Sequence, residues 1–227
     1  MHCRMLKHLL SASVLSAFTV LVSVVHADRH IPPWPHEQSD LSPDPAITWG
    51  KLENGMRYAV RPHDEPPNRV SLRLYIDVGS LMEADNEKGL AHFLEHMAFN
   101  GTKHFEPGEM VKYFQRLGMA FGADTNAHTG FNETVYKIEL PESDPAMIKK
   151  GLLLLRDYAS RMTLAPDQID KERGVILSEM RTRDTVGYRT FKAHMKSVMP
   201  ESRLSDRMPI GTKPVIRNAP AERFVTF

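Results

Sequence analysis

Several stretches of the chain are apolar at every second residue. Residues 70–78 are the longest of these, and their alternation predicts a half-buried strand that ends at Gly79. Residues 119–125 and 134–140 predict two further strands. The chain is therefore expected to contain a sheet with one covered face.

A tight turn is predicted ahead of these strands. Asn54 and Gly55 separate the short stretches 51–53 and 56–61. An Asn-Gly pair between two such stretches is a strong signal for a β-hairpin. Hairpin-connected strands run antiparallel, so an antiparallel sheet is favoured.

Other stretches repeat their apolar residues at a spacing of three and four, which predicts helices. They are residues 89–99, 109–117, 144–162, 166 to at least 179, and 190–199. Helices and strands are interspersed without the strict β-α-β alternation of a parallel sheet. The pattern predicts an α+β fold, a two-layer sandwich in which helices cover a largely antiparallel sheet.

The first 27 residues have the organisation of an export signal. Arg4 and Lys7 precede an uncharged apolar stretch at residues 9–25, and Ala27 is a small residue at a cleavage position. An uncleaved signal anchor is the alternative, but the apolar stretch is short for a bilayer span of about 20 residues. We expect cleavage near Ala27, export of the mature chain and no stable membrane anchor.

Residues 28–46 are rich in proline and are expected to form an extended lead-in to a domain at residues 47–227.

The amino-acid composition excludes some classes of partner and of metal site. The 29 Lys and Arg residues nearly balance the 28 Asp and Glu residues, so no nucleic-acid partner is expected. The single cysteine, Cys3, excludes an intramolecular disulfide framework and a multi-cysteine metal site.

Histidine is the unusual component, with 11 residues. His92 and His96 stand at positions i and i+4 of one predicted helix, so their rings project from the same face. Two such imidazoles can bind one Zn²⁺, and Glu95 beside them can reach a metal-bound water. The pattern His-x-x-Glu-His is the inverted zinc-binding motif. The alternative is an ordinary helix with two surface histidines and an acid.

Two histidines and a water leave zinc one protein ligand short, and a carboxylate from another element is the natural third. The helix that begins at residue 166 offers Glu172 and Glu179, which share one face with Ile176. Spacing alone leaves both acids open as the third ligand.

The chain resembles a known family in its motifs. Residues 89–102 read Gly-Leu-Ala-His-Phe-Leu-Glu-His-Met-Ala-Phe-Asn-Gly-Thr and resemble the signature of the pitrilysin (insulinase-like) zinc metallopeptidases. Further similarity lies at residues 54–58, 78–83, 122–136, 172–179 and 209–216. The resemblance covers roughly residues 47–227. It is strongest to the N-terminal catalytic domain of secreted bacterial members, which implies export to the bacterial periplasm or the medium.

The resemblance implies a zinc-dependent metalloendopeptidase that acts on peptides or unfolded segments. It implies that His92 and His96 bind one Zn²⁺ per domain and that Glu95 is the general base. In most family members the third ligand lies closer in sequence to the second histidine than Glu179 does here, which favours Glu172. The match of the local sequence to the family motif favours Glu179. We expect Glu179 to be the third ligand. Glu172 is expected to support the ligand side chains without binding the zinc itself.

The resemblance also implies a substrate-binding strand. Asn126 and Ala127 match the family's edge strand, which pairs with the peptide substrate. His128 lies in the same stretch and is expected to be a surface side chain rather than a ligand.

Family members contain repeated homologous domains. The chain stops within residues 222–227, which predict the middle of a helix. We therefore expect a domain truncated at its C-terminal end, partnered by a homologous C-terminal domain or a second subunit. The alternative is a non-catalytic or half-enzyme subunit, which zinc stoichiometry would separate from a complete peptidase.

Overall fold

A computed structural model describes residues 33–120 and 122–227 of the chain. The described residues up to Pro62 belong to one compact unit, and those from His63 to Phe227 form another. The predicted export signal, residues 1–27, and the start of the lead-in lie outside the described residues.

The N-terminal unit contains the predicted hairpin. Strand β1 (Thr48–Lys51) pairs antiparallel with strand β2 (Arg57–Val60), which confirms the prediction. Gly55 has a φ of 87°, a left-handed conformation that glycine adopts without steric cost. In the described part of the lead-in, one short 3-10 turn spans Pro35–Gln38.

The C-terminal unit contains a three-stranded antiparallel sheet. Its strands are β3 (Val70–Ile76), β4 (Thr125–Thr129) and β5 (Thr134–Leu140), in the order β3-β5-β4. The central strand β5 pairs Tyr136 with Leu74 on one side and with Ala127 on the other. Strand β4 therefore lies at an edge of this sheet.

The prediction of a strand at residues 119–125 was wrong, because β4 begins only at Thr125. Gly118 and Gly122 have left-handed φ values of 76° and 95°. The Asp124 carboxylate also accepts the backbone N–H of Ala120 at 2.8 Å, which closes a local turn. This combination turns the chain where the apolar pattern suggested an extended segment.

Seven α-helices are described in the C-terminal unit. They are α1 (Leu90–Met97), α2 (Glu109–Arg116), α3 (Pro145–Ser160), α4 (Pro166–Arg183), α5 (Val186–Val198), α6 (Lys213–Asn218) and α7 (Ala221–Thr226). Helix α5 begins at Val186 rather than at residue 190, because the Thr185 hydroxyl caps it by accepting the N–H of Tyr188. None of the helices in the described ranges is long and apolar enough to cross a membrane.

Two apolar clusters hold the C-terminal unit together. One joins the sheet to α2 and α3; its buried members include Leu74, Phe114, Ile138, Leu140, Leu154 and Tyr158. The other joins α1 to α4, α6 and α7; its buried members include Leu90, Phe93, Met97, Ile176, Ile216 and Phe224. Each such side chain contributes about 1.5–3 kcal/mol by leaving water. The α+β prediction with helices packed on an antiparallel sheet is confirmed.

Candidate metal centre

The start of α1 is held by a buried carboxylate. Glu83, 1% exposed, accepts the N–H of Gly89 at 2.9 Å through Oε2 and the N–H of Ala91 at 3.0 Å through Oε1. These are N–H groups that a helix leaves without a partner in its first turn. Burial raises the pKa of Glu83 to about 7. The arrangement anchors the helix that carries the histidines.

Three predicted site residues converge between α1 and α4. The Nε2 atoms of His92 and His96 each lie 3.5 Å from Oε2 of Glu179. The ligand atoms of the three residues all lie within 4.8 Å of one another. Within residues 33–120 and 122–227, this is the one group of three or more His, Cys, Asp or Glu side chains that could hold a metal ion.

The dimensions of this group fit zinc. Zinc lies about 2.0–2.2 Å from nitrogen and oxygen ligands, so atoms at the corners of a tetrahedron are about 3.3–3.6 Å apart. The two His–Glu179 separations of 3.5 Å fall in that range. Oε2 of Glu179 is also buried and has no hydrogen-bond partner among the described residues. A cation between the three side chains would satisfy that oxygen.

The second oxygen of Glu179 is held separately. Oε1 lies 2.6 Å from Nη2 of Arg183, one helical turn along α4. This pair leaves Oε2 directed at the two histidines. Arg183 was not among the residues predicted from the sequence, although its i, i+4 spacing from Glu179 is a signal for such a pair.

Glu172 does not join the group but supports it. Its Oε1 lies 2.7 Å from Nδ1 of His96, and its Oε2 accepts the side-chain amide of Asn100 at 2.7 Å. A carboxylate at Nδ1 takes the ring N–H and leaves Nε2 free to bind a metal. Burial alone would lower the pKa of His96, but Glu172 raises it above its ordinary value. The contact of Asn100 with Glu172 was missed in the sequence.

His92 and Glu95 are the most buried polar groups of α1. Burial, with smaller contributions from His96 and Arg183, lowers the pKa of His92 to about 3, so this imidazole is neutral at physiological pH. Burial raises the pKa of Glu95 above its ordinary value. Oε2 of Glu95 accepts the Thr129 hydroxyl at 2.6 Å.

The predicted substrate-binding residues lie on the edge strand β4. Asn126 is exposed, Ala127 is half-buried, and Oδ1 of Asn126 accepts the N–H of Ala127 at 2.9 Å. His128 is exposed and stands outside the metal-binding group, as expected for a surface side chain.

Comparison with known proteins identifies the family. Residues 58–200 match the sequence model described as Insulinase (Peptidase family M16). The chain belongs to the insulinase family of peptidases. The resemblance recognised in the sequence motifs is thereby confirmed, and zinc is the metal that this family implies for the His92, His96 and Glu179 group.

Individual insulinase-family proteins are similar over most of this chain. The probable zinc protease PqqL of Escherichia coli (strain K12) is 39% identical over 171 residues, which are 75% of this chain and 18% of PqqL. The crystal structure of the periplasmic protease PqqL from Escherichia coli matches with a TM-score of 0.78 and 35% identity, over 82% of this chain and 21% of that chain. The structure of the first half of PqqL matches equally well, over 40% of its chain. This chain therefore spans about a fifth of the length of PqqL.

Proposed function

We propose that the chain carries a zinc-dependent metalloendopeptidase site that hydrolyses peptide bonds in peptides or unfolded segments. The observation that carries the proposal is the convergence of His92, His96 and Glu179 beside Glu95. Three protein ligands with one open position are typical of a catalytic zinc, whereas structural zinc sites have four. One zinc ion per domain follows.

The side chains divide the chemistry among them. Zinc, when bound, supplies a water whose pKa falls toward about 7 and an electrophile for the scissile carbonyl. Glu95 takes the proton of that water and delivers it to the leaving amine. Glu172 orients the His96 ring so that Nε2 of His96 faces His92 and Glu179. Arg183 holds the Glu179 carboxylate in place.

A peptide substrate would add to the sheet at β4. The edge position of this strand supports pairing between its free backbone groups and an extended peptide. Asn126 and Ala127 would bind the substrate main chain, after the Asn126 amide releases the Ala127 N–H that it holds. Main-chain pairing is compatible with many sequences and requires an extended, unfolded segment.

The organisation beyond the site forms part of the same proposal. We assign residues 1–27 to a cleaved signal, 28–46 to a lead-in and 47–227 to the metallopeptidase domain. Because this chain spans about a fifth of PqqL, a homologous C-terminal domain or a second subunit would complete the enzyme. The periplasmic location of PqqL supports a periplasmic location here.

The test combines metal content with one substitution. The purified protein, together with the domain or subunit that completes it, should contain one zinc per metallopeptidase domain and cleave quenched-fluorescent peptides. Glu95→Gln should keep the zinc and lose activity by about 10²–10⁴-fold, the usual contribution of a general base. Glu142→Gln, at an exposed position, is the matched control. Absence of tightly bound zinc would support the non-catalytic alternative instead.

A further inference from the structure

Thr129 makes the contact that orients Glu95. Its hydroxyl donates to Oε2 of Glu95 at 2.6 Å, near the short end of the range for hydrogen bonds between two oxygens. Glu95 is 8% exposed, so little water competes for this oxygen. One oxygen of the carboxylate is therefore held by the protein, and Oε1 is left for the reacting water.

A second threonine lies beside the Thr129 hydroxyl. Thr134 donates its hydroxyl proton to the carbonyl of Val78 at 3.0 Å, since a carbonyl can only accept. The Thr134 oxygen lies 3.4 Å from the Thr129 oxygen and has no second proton to give it. The single Thr129 proton therefore has two acceptors within reach, and it goes to Oε2 of Glu95 at 2.6 Å rather than to the more distant Thr134 oxygen.

Strand register brings Thr129 to this position. Thr129 is the last residue of β4 and stands opposite Thr134 of β5. Helix α1 packs against β4, and the alternation of the strand turns Thr125, Ala127 and Thr129 to the inner face while Asn126 and His128 are exposed. The same strand that would bind the peptide therefore also contacts the general base.

We propose that Thr129 is a positioning residue, whose hydroxyl holds Oε2 of Glu95 so that Oε1 accepts the proton of the attacking water. The inference rests on the proposed peptidase function. It predicts that loss of the hydroxyl slows turnover without weakening metal or substrate binding. The hydroxyl contacts Glu95 and Thr134 rather than a zinc ligand, and a side-chain change leaves the backbone edge of β4 in place.

The first test is kinetic and uses the zinc-loaded protein together with the domain or subunit that completes the enzyme. Thr129→Val should lower kcat at least tenfold, with KM and zinc content within twofold of wild type, and Thr129→Ser should restore most of kcat. The matched control is Thr125→Val in the same strand, because the buried Thr125 hydroxyl has no hydrogen-bond partner among the described residues. A kcat for Thr129→Val within twofold of wild type would overturn the inference.

The second test needs no turnover. In the metal-free protein, Thr129→Val should lower Tm more in the wild-type background than in a Glu95→Ala background, where the acceptor is missing. Equal losses of Tm would show that the bond contributes nothing and would refute the inference. Failure of the proposed function has a different signature, since the wild-type protein would then show no hydrolysis that depends on Glu95.

Discussion

The carboxylate of Glu172 lies 2.7 Å from Nδ1 of His96 and joins α4 to α1 directly behind the ligand group. The second Glu172 oxygen is occupied by Asn100, so the carboxylate has little freedom to rotate. Its role in the geometry is to orient a ligand, because Nε2 of the same ring points at Glu179.

Removing the negative charge behind His96 should weaken zinc binding. Glu172→Gln is expected to raise the Kd for zinc by about 10–100-fold, the usual effect of losing a hydrogen-bonded carboxylate behind a ligand. Asp167→Asn, an exposed position on the same helix, is the control and should bind as wild type. Competition titration against a chromophoric chelator measures both, and an unchanged Kd for Glu172→Gln would contradict this role.

Zinc should stabilise the folded protein through Glu179. At free zinc about 1,000 times its Kd, linkage predicts about 4 kcal/mol of added free energy of unfolding in the wild type. In Glu179→Gln this gain should largely disappear, because one of three ligands is lost. Urea unfolding with zinc and with a chelator measures the difference. Equal gains in the two proteins would mean that zinc binds elsewhere.

Glu83 should make stability depend on pH. Its pKa of about 7 lies above the ordinary value of 4.5, so the folded chain binds this proton more tightly than the unfolded chain. Its contribution is therefore full below pH 4.5 and is lost as pH rises through 7. Between pH 5 and pH 8, wild type should lose about 2–3 kcal/mol relative to Glu83→Gln. Urea unfolding at both pH values checks this, and a constant difference would contradict it.

Two glycines with similar backbone angles should respond differently to substitution. Gly211 and Gly118 have φ values of 74° and 76°. A Cβ on Gly211 would collide with the backbone of Lys88 and Gly89, whereas one on Gly118 would meet nothing within 4 Å. Gly118→Ala should cost about 1–2 kcal/mol from backbone conformation alone.

Gly211→Ala should lower the free energy of unfolding by about 1–3 kcal/mol more than Gly118→Ala does, because backbone atoms cannot move aside as a side chain can. It should also disturb the start of α1, since Gly89 is the residue before that helix. Chemical denaturation of both variants measures the difference. Similar losses would mean that the approach of Gly211 to Gly89 has no energetic consequence.

Some errors of sequence-based prediction have local causes. The strand expected at residues 119–125 failed because left-handed glycines and the Asp124 side chain turn the chain there. Helix α5 began earlier than its apolar repeat suggested because Thr185 caps it. Apolar periodicity reports burial and does not detect such turn and cap hydrogen bonds.

Local sequence determined the part of the site that depends on helix geometry. His92 lies beside both Glu95 and His96 on α1 because residues three and four apart on a helix are neighbours wherever the helix packs. The amphipathic patterns, the Asn-Gly hairpin and the family motifs likewise need no knowledge of distant contacts.

Tertiary structure decided the rest. Glu172 and Glu179 lie about two turns apart on the same face of α4. Only the packing of α4 against α1 decides that Glu179 lies near the Nε2 atoms of both histidines, while Glu172 lies near Nδ1 of His96. Thr129 reaches Glu95 only because β4 pairs with β5 in one register and lies against α1. Both relationships join residues far apart in the chain, and sequence spacing does not encode the distance between two packed elements.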